Sequence, residues 1–143
     1  MNDEIIDKKK RWLYRYRNNQ LKIARLQEKL STLEARITSI NSPNYSGMPR
    51  GGTPVTIDDL LSDKLILINR IKRLEDKGTE YRHEILEAID SLENHKHADV
   101  LERWFIGGAS VGDIGEAIGY STTYIFRLYS KALKEIDIPG ISE

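Results

Sequence analysis

Residues 110–136, SVGDIGEAIGYSTTYIFRLYSKALKEI, decide how the rest of the chain is read. Ser110 has the residue type of a helix N-cap, and Asp113 sits three residues on, near the positive end of the helix that would follow. Ile114 and Ile118 share one face at i, i+4, with the side-chain-free Gly115 between them. Gly119 can take the left-handed backbone that a sharp helix stop requires, and Ser121 can cap a new helix. In that second helix Ile125, Leu128, Ala132 with Leu133, and Ile136 recur at helical spacing, so one stripe is expected to be buried. Thr122, Thr123, Arg127, Ser130, Lys131 and Lys134 fall on the other side. A small residue at the crossing, a glycine turn and a polar, basic outer face are what a helix-turn-helix needs to enter a major groove.

Immediately upstream, ENHKH (93–97) is a polar break, and a short helix is expected over Ala98–Ile106, stopped by Gly107-Gly108. Its Trp104 and Phe105 supply the large apolar area for a small three-helix core with Ile114, Ile118, Ile125 and Leu128. Downstream, the tail DIPGISE is expected to fray.

From about Glu4 to Ile40 there is neither proline nor glycine. Ile5, Trp12, Tyr16, Ile23, Leu26, Leu30, Leu33, Ile37 and Ile40 follow a 3,4 spacing, interrupted by Lys9 and Asn19. A narrow stripe with a seven-residue period is a coiled-coil seam. The spacing returns from Thr56 to Leu92, in Ile57, Leu60, Leu67, Ile71, Leu74, Tyr81, Ile85, Ala88 and Leu92, with Lys64 and Gly78 as interruptions. Between them, residues 41–56 (NSPNYSGMPRGGTPVT) hold three of the four prolines and three of the ten glycines, a density no helix survives. An antiparallel pairing sets Ile37 against Leu60, Leu30 against Leu67, Leu26 against Ile71, Ile23 against Leu74, Tyr16 against Tyr81 and Trp12 against Ile85. It also brings the defects Asn19 and Gly78 together. A shift by one heptad would separate them. The chain therefore reads as all-α: a long antiparallel coiled-coil hairpin over 1–93 with its loop at 41–56, then a helix-turn-helix domain over 94–143. Because a two-helix hairpin has a thin core, it is expected to pack on the C-terminal domain or to self-associate, as a dimer.

Basic and acidic residues balance at 22 each over 143 residues, so no strong nonspecific grip on nucleic acid follows from composition. Their placement is uneven. Net charge is +5 over 1–40, +1 over 41–56, −4 over 57–93 and −2 over 94–143. KKKRWLYRYR (8–17), with six cations, would lie beside the acidic 80–93, which favours the folded-back orientation. The same basic, aromatic stretch could grip nucleic acid by stacking. Trp12 and Tyr16, however, lie on the seam, leaving Tyr14 and Lys8–Lys10 as the residues free to do so. The absence of cysteine excludes disulfides and thiolate chemistry. No apolar run approaches the ~20 residues of a membrane span, and MNDEIIDKKK lacks a signal-peptide pattern. The expectation is a soluble protein of the cytoplasm, away from membranes.

VLERWFIGGASVGDIGEAIGYSTTYIFRLYSKALKEI (100–136) resembles region 4 of bacterial sigma-70-type factors: a helix, a glycine-containing turn, an amphipathic helix, a Gly-x-Ser elbow and a recognition helix ending in x-x-Ala-Leu. The loop NYSGMPRGG, following a Trp-Leu-Tyr helix, is similar to that of the sigma-region-4-like transcriptional regulators of Gram-positive bacteriophages, a group that includes autolysin and late-gene regulators. The resemblance implies promoter-proximal binding of double-stranded DNA and contact with host RNA polymerase. It places base-edge contacts on Thr122, Thr123 and Arg127 and backbone contacts on Ser121, Lys131 and Lys134. Thr122 and Thr123 stand where charged readers are common, and Phe126 where arginine is common, so a differently specified DNA contact is implied.

The candidate DNA-facing set is Ser121, Thr122, Thr123, Tyr124, Arg127, Ser130, Lys131 and Lys134. Residues 121–136 carry a net charge of +2, a small set for duplex binding, so the module is expected to need dimerisation or a neighbouring protein. Exposed-looking Tyr45, Met48 and Arg50 make the loop a candidate partner-binding surface. His95 and His97 have poor ligand spacing and no cysteine beside them, so no metal is expected. No enzymatic constellation or cofactor motif is present, and the chain is read as a non-enzyme. Two other readings fit the same features: a phage DNA-packaging, small-terminase-like recognition subunit, and a protein-interaction adaptor whose helix-turn-helix binds no DNA. A ring-shaped assembly would favour the first. Promoter protection or capture of host polymerase would favour the regulator.

Overall fold

A computed structural model describes residues 2–41 and 56–141. All its regular elements are helical: α1 (Asn2–Leu13), α2 (Arg15–Asn41), α3 (Ile57–Asp90), α4 (His95–Leu101), α5 (Val111–Ile118) and α6 (Thr122–Glu135). A π-helical turn, Glu102–Ile106, continues α4. No strand occurs among the described residues, and none of their helices is long and apolar enough to cross a membrane. The loop 42–55, with the candidate partner residues Tyr45, Met48 and Arg50, lies outside the described residues.

The chain forms two compact units, residues 1–19 with 77–143, and residues 20–76. In the second, α2 and α3 run antiparallel on the expected seam. Ile23, Leu26 and Ile71 form its buried centre, flanked by Leu30, Leu67 and Leu74. Lys64 Nζ lies 3.8 Å from Glu34 Oε1. The stripe's apolar residues are shielded because the 3,4 spacing keeps them on the side facing the partner helix.

The first unit joins residues that the sequence divided at position 93. Leu13, Ile85 and Ile89 share one core with Val100, Phe105, Ile114, Ile125, Leu133 and Ile136. Leu13 lies off the coiled-coil stripe yet is fully buried, and so is Ile89. They are the residues through which the hairpin helices enter the C-terminal core. In this unit Arg15 Nη2 lies 2.6 Å from Glu84 Oε2, and its guanidinium lies over the rings of Trp12 (4.4 Å) and Tyr81 (4.7 Å). The expected antiparallel pairing therefore holds here too.

Three local expectations are corrected. The helix expected without a break from Glu4 to Ile40 is interrupted at Tyr14, between the end of α1 and the start of α2. Tyr14 N still donates to Lys10 O and Asn18 N to Tyr14 O, and between them the Trp12 carbonyl accepts from the Arg15 side chain at 2.9 Å. Tyr14 packs edge-on against Phe105 at 4.8 Å and accepts from Trp104 Nε1 at 3.0 Å, so the side chain at the junction is anchored to the C-terminal core. The helix expected over 98–106 begins earlier, at His95, where the Asn94 side chain accepts from Lys96 N and His97 N. Its last turn widens to i→i−5 bonding, Gly107 N to Glu102 O. The tail does not fray through 141: Ile136 and Ile138 are buried, and Ile138 pairs with Ile141.

Candidate nucleic-acid interface

The segment from α5 to α6 is built as its residues dictate. Ser110 Oγ accepts from Asp113 N (3.1 Å) and starts α5. Ser121 Oγ accepts from Tyr124 N (3.2 Å) and starts α6. Gly119 ends α5 at φ 80°, in the left-handed region. The close approach at the crossing belongs to Gly115, where a Cβ would stand 2.6 Å from the Tyr120 carbonyl oxygen. That same stretch takes two hydrogen bonds on Gly115 O, from Gly119 N and Tyr120 N, so the turn closes tightly over the glycine.

α6 buries Ile125, Leu128, Ala132 and Leu133, with Ile136 following. Of the candidate DNA-facing residues, Ser121, Thr122, Thr123, Arg127, Ser130, Lys131 and Lys134 are all exposed, and Tyr124 is half-buried against Tyr120 (4.7 Å). Arg127, Lys131 and Lys134 recur at i, i+4, i+7, so one line of the helix carries its three cations. Phe126 stands among them with 52% of its surface exposed, one edge against Trp104 at 6.1 Å. Phe126 is thus a large apolar ring half in water on an otherwise polar face. Tyr129 lies on the other side, stacked on Trp104 at 3.8 Å. Burial first, then the neighbouring Tyr14 hydroxyl, hold its phenol neutral well above the ordinary tyrosine range.

Two side chains from outside the segment fix the far end of α6. The last carbonyls of a helix lack intrahelical partners. Lys9, only 3% exposed, donates to Leu133 O (3.0 Å) and Lys134 O (3.2 Å). The expectation that Lys9 and Tyr14 are free to grip nucleic acid is overturned by these contacts, since both are committed to holding the fold. His97 Nδ1 lies 2.8 Å from Glu135 Oε2, and with a carboxylate as acceptor Nδ1 carries the proton. His97 is therefore a positioning residue for α6. Near the other end of the helix, Lys96 Nζ lies 5.3 Å from the centre of the Tyr120 ring, and the Tyr120 hydroxyl raises its pKa. Lys96 adds a fourth cation near the turn, too far from Tyr120 in sequence for any local pattern to pair them. The polar interruption of the α1 stripe at Lys9 is the one signal in the sequence that points to its role.

No group of three or more histidines, acidic residues or cysteines placed to hold a metal ion occurs among the described residues. The arrangement offers solvent-facing hydroxyls, cations and an aromatic edge on one helix whose position is fixed at both ends. No curated protein and no solved structure matches the chain. The profile of a family described as proteins of unknown function, DUF1492, matches residues 39–137, from the last turn of α2 through α6, and the chain belongs to that family.

Proposed function

We propose that the chain is a sequence-specific DNA-binding transcription regulator, in which α5, the Gly119 turn and α6 act as a sigma-region-4-like helix-turn-helix. The observation that carries this reading is the division of α6. Its apolar stripe is wholly buried, while its serine, threonine and cationic residues all face solvent, under a helix N-terminus able to accept a phosphate. Thr122, Thr123 and Arg127 take the base edges; Ser121, Ser130, Lys131 and Lys134 take backbone positions. Phe126 supplies an apolar contact of the kind a thymine methyl accepts. The regulator is a non-enzymatic phage protein working in the cytoplasm of a Gram-positive host. It acts as an activator beside host RNA polymerase, and as a dimer, because the few cations near α6 are a small set for a specific complex.

The test is selection of bound fragments from random duplex DNA by the full chain, with the binding constants of the enriched and random sequences compared. An enriched motif is expected, and Arg127→Ala, Lys131→Ala and Lys134→Ala together should erase the preference for it. Undiminished discrimination by that triple variant would remove α6 from the role of reader.

A further inference from the structure

We propose that the unit formed by residues 20–76 carries a second nucleic-acid contact, a basic line that grips the phosphate backbone of duplex DNA; this rests on the DNA-binding reading above. Lys22 and Arg25 of α2 and Arg70 and Arg73 of α3 converge on one open hollow of about 410 Å³. Its floor is Leu26 and Leu74, the seam itself, and no carboxylate lines it. All four cations are exposed, and none forms an ion pair with a described residue. Each helix contributes its two at i, i+3, a spacing that sets neighbouring side chains on one helix face. Cations gathered around a hollow repel one another, and an anion relieves that repulsion.

The line continues along the same side of α2. Lys29 and Arg36 border a neighbouring hollow with Leu33, Ile66 and Leu67, where Asp63 is the one acidic residue. Positions 22, 25, 29 and 36 recur on one face of the helix and span about 21 Å at about 1.5 Å per residue. Each strand of a duplex has one phosphate per about 3.4 Å of helix axis, so roughly six lie within that axial length. A repeating row of cations suits a repeating polyanion better than a single acidic group. An acidic protein would also need apolar or aromatic anchors to bind stably, and the four-cation hollow has its leucines on the floor, with Leu26 only 1% exposed. The net charge of the chain conceals this line, because the acids that balance it, Asp63 apart, do not line the two hollows. It also supplies phosphate contacts that the α6 surface lacks.

The experiment measures binding of the full chain to a fluorescent duplex of random sequence across a range of KCl concentrations. The comparison is a variant with Lys22→Gln, Arg25→Gln, Arg70→Gln and Arg73→Gln, all exposed positions where glutamine keeps helix propensity. For every phosphate that the variant no longer neutralises, the slope of log K against log salt should fall by about 0.9. A fall in slope of about 2 to 4 is expected, with affinity reduced equally on random and selected sequences and an unchanged helical melting curve. An unchanged slope in this variant, while the α6 triple variant still loses discrimination, overturns the second contact and leaves the reader standing. Failure of the wild-type chain to bind any duplex overturns both. Tighter binding to poly-glutamate than to duplex at equal salt, abolished by the same four substitutions, reassigns the line to an acidic protein and overturns the proposal.

Discussion

Gly119 sits at φ 80° with no atom within 4 Å of where a Cβ would stand, so Gly119→Ala meets only the left-handed backbone penalty, about 1–2 kcal/mol. One turn earlier, Gly115→Ala gains helix propensity of about 1 kcal/mol but drives a methyl to 2.6 Å from the Tyr120 carbonyl, a backbone atom that cannot rotate away. Overpacking against a rigid neighbour costs about 1–3 kcal/mol or more. Gly115→Ala should therefore lower the melting temperature and, by prising α5 from α6, weaken DNA binding as well. Gly119→Ala should lower stability and leave binding nearly intact. Thermal melts paired with a DNA titration of the two variants separate these outcomes, and equal weakening of binding would dismiss the crossing as the reason for Gly115. Both glycines and both serine caps are legible in the sequence, because capping and left-handed turns depend on residues a few positions apart. Tyr129, Lys96 and His97 are not, because their partners Trp104, Tyr120 and Glu135 are brought to them only by the fold.

At the scale of an element, α6 is half legible. The buried stripe of Ile125, Leu128, Ala132 and Leu133 follows from spacing alone. What holds the helix along its axis does not, since that comes from Lys9 in α1. The Lys9 ammonium stabilises α6 by satisfying two of its orphan carbonyls and by opposing the negative end of the helix dipole. Lys9→Met keeps the length of the stem and removes both hydrogen bonds, leaving buried acceptors unsatisfied at a cost of about 1–3 kcal/mol. The expected outcome is a lower midpoint in urea unfolding with an unaltered slope. Amide exchange over residues 133–136 should quicken more than exchange over Ile125. Uniform quickening across α6 would mean that Lys9 contributes only general packing. In the seam pattern Lys9 has the look of a coiled-coil defect; it is the place where α1 turns from that seam to a contact with α6.

For the whole molecule, the hairpin pairing is readable because a 3,4 stripe admits few registers and the Asn19 and Gly78 interruptions choose among them. The compact units are not readable, because Leu13 and Ile89, which join the hairpin helices to the C-terminal core, lie off that stripe. Nor can spacing weigh what the pairing leaves outside. On α3, Leu61, Leu65 and Ile68 recur at i, i+4, i+7 and remain 42%, 62% and 37% exposed. By helical geometry this line lies on the opposite flank of the buried Leu60–Ile71 stripe from Arg70 and Arg73, so an apolar and a basic face border the seam on different sides. A second copy of the chain covering the apolar line would give residues 20–76 the second layer that two helices lack. Each of the three keeps only about half of its surface in water, so covering it contributes roughly 1 kcal/mol, or about 6 kcal/mol over both copies. The full chain should sediment as a dimer, and Leu61→Gln, Leu65→Gln and Ile68→Gln together should make it a monomer of unchanged helicity. Two linked readers bind a pair of half-sites with an effective concentration that a lone reader lacks. The triple variant should therefore lose affinity for a two-half-site duplex at least about ten-fold while binding a single half-site as the wild type does. A wild-type chain that stays monomeric at high concentration, or a variant that remains dimeric, would place the self-association elsewhere or nowhere.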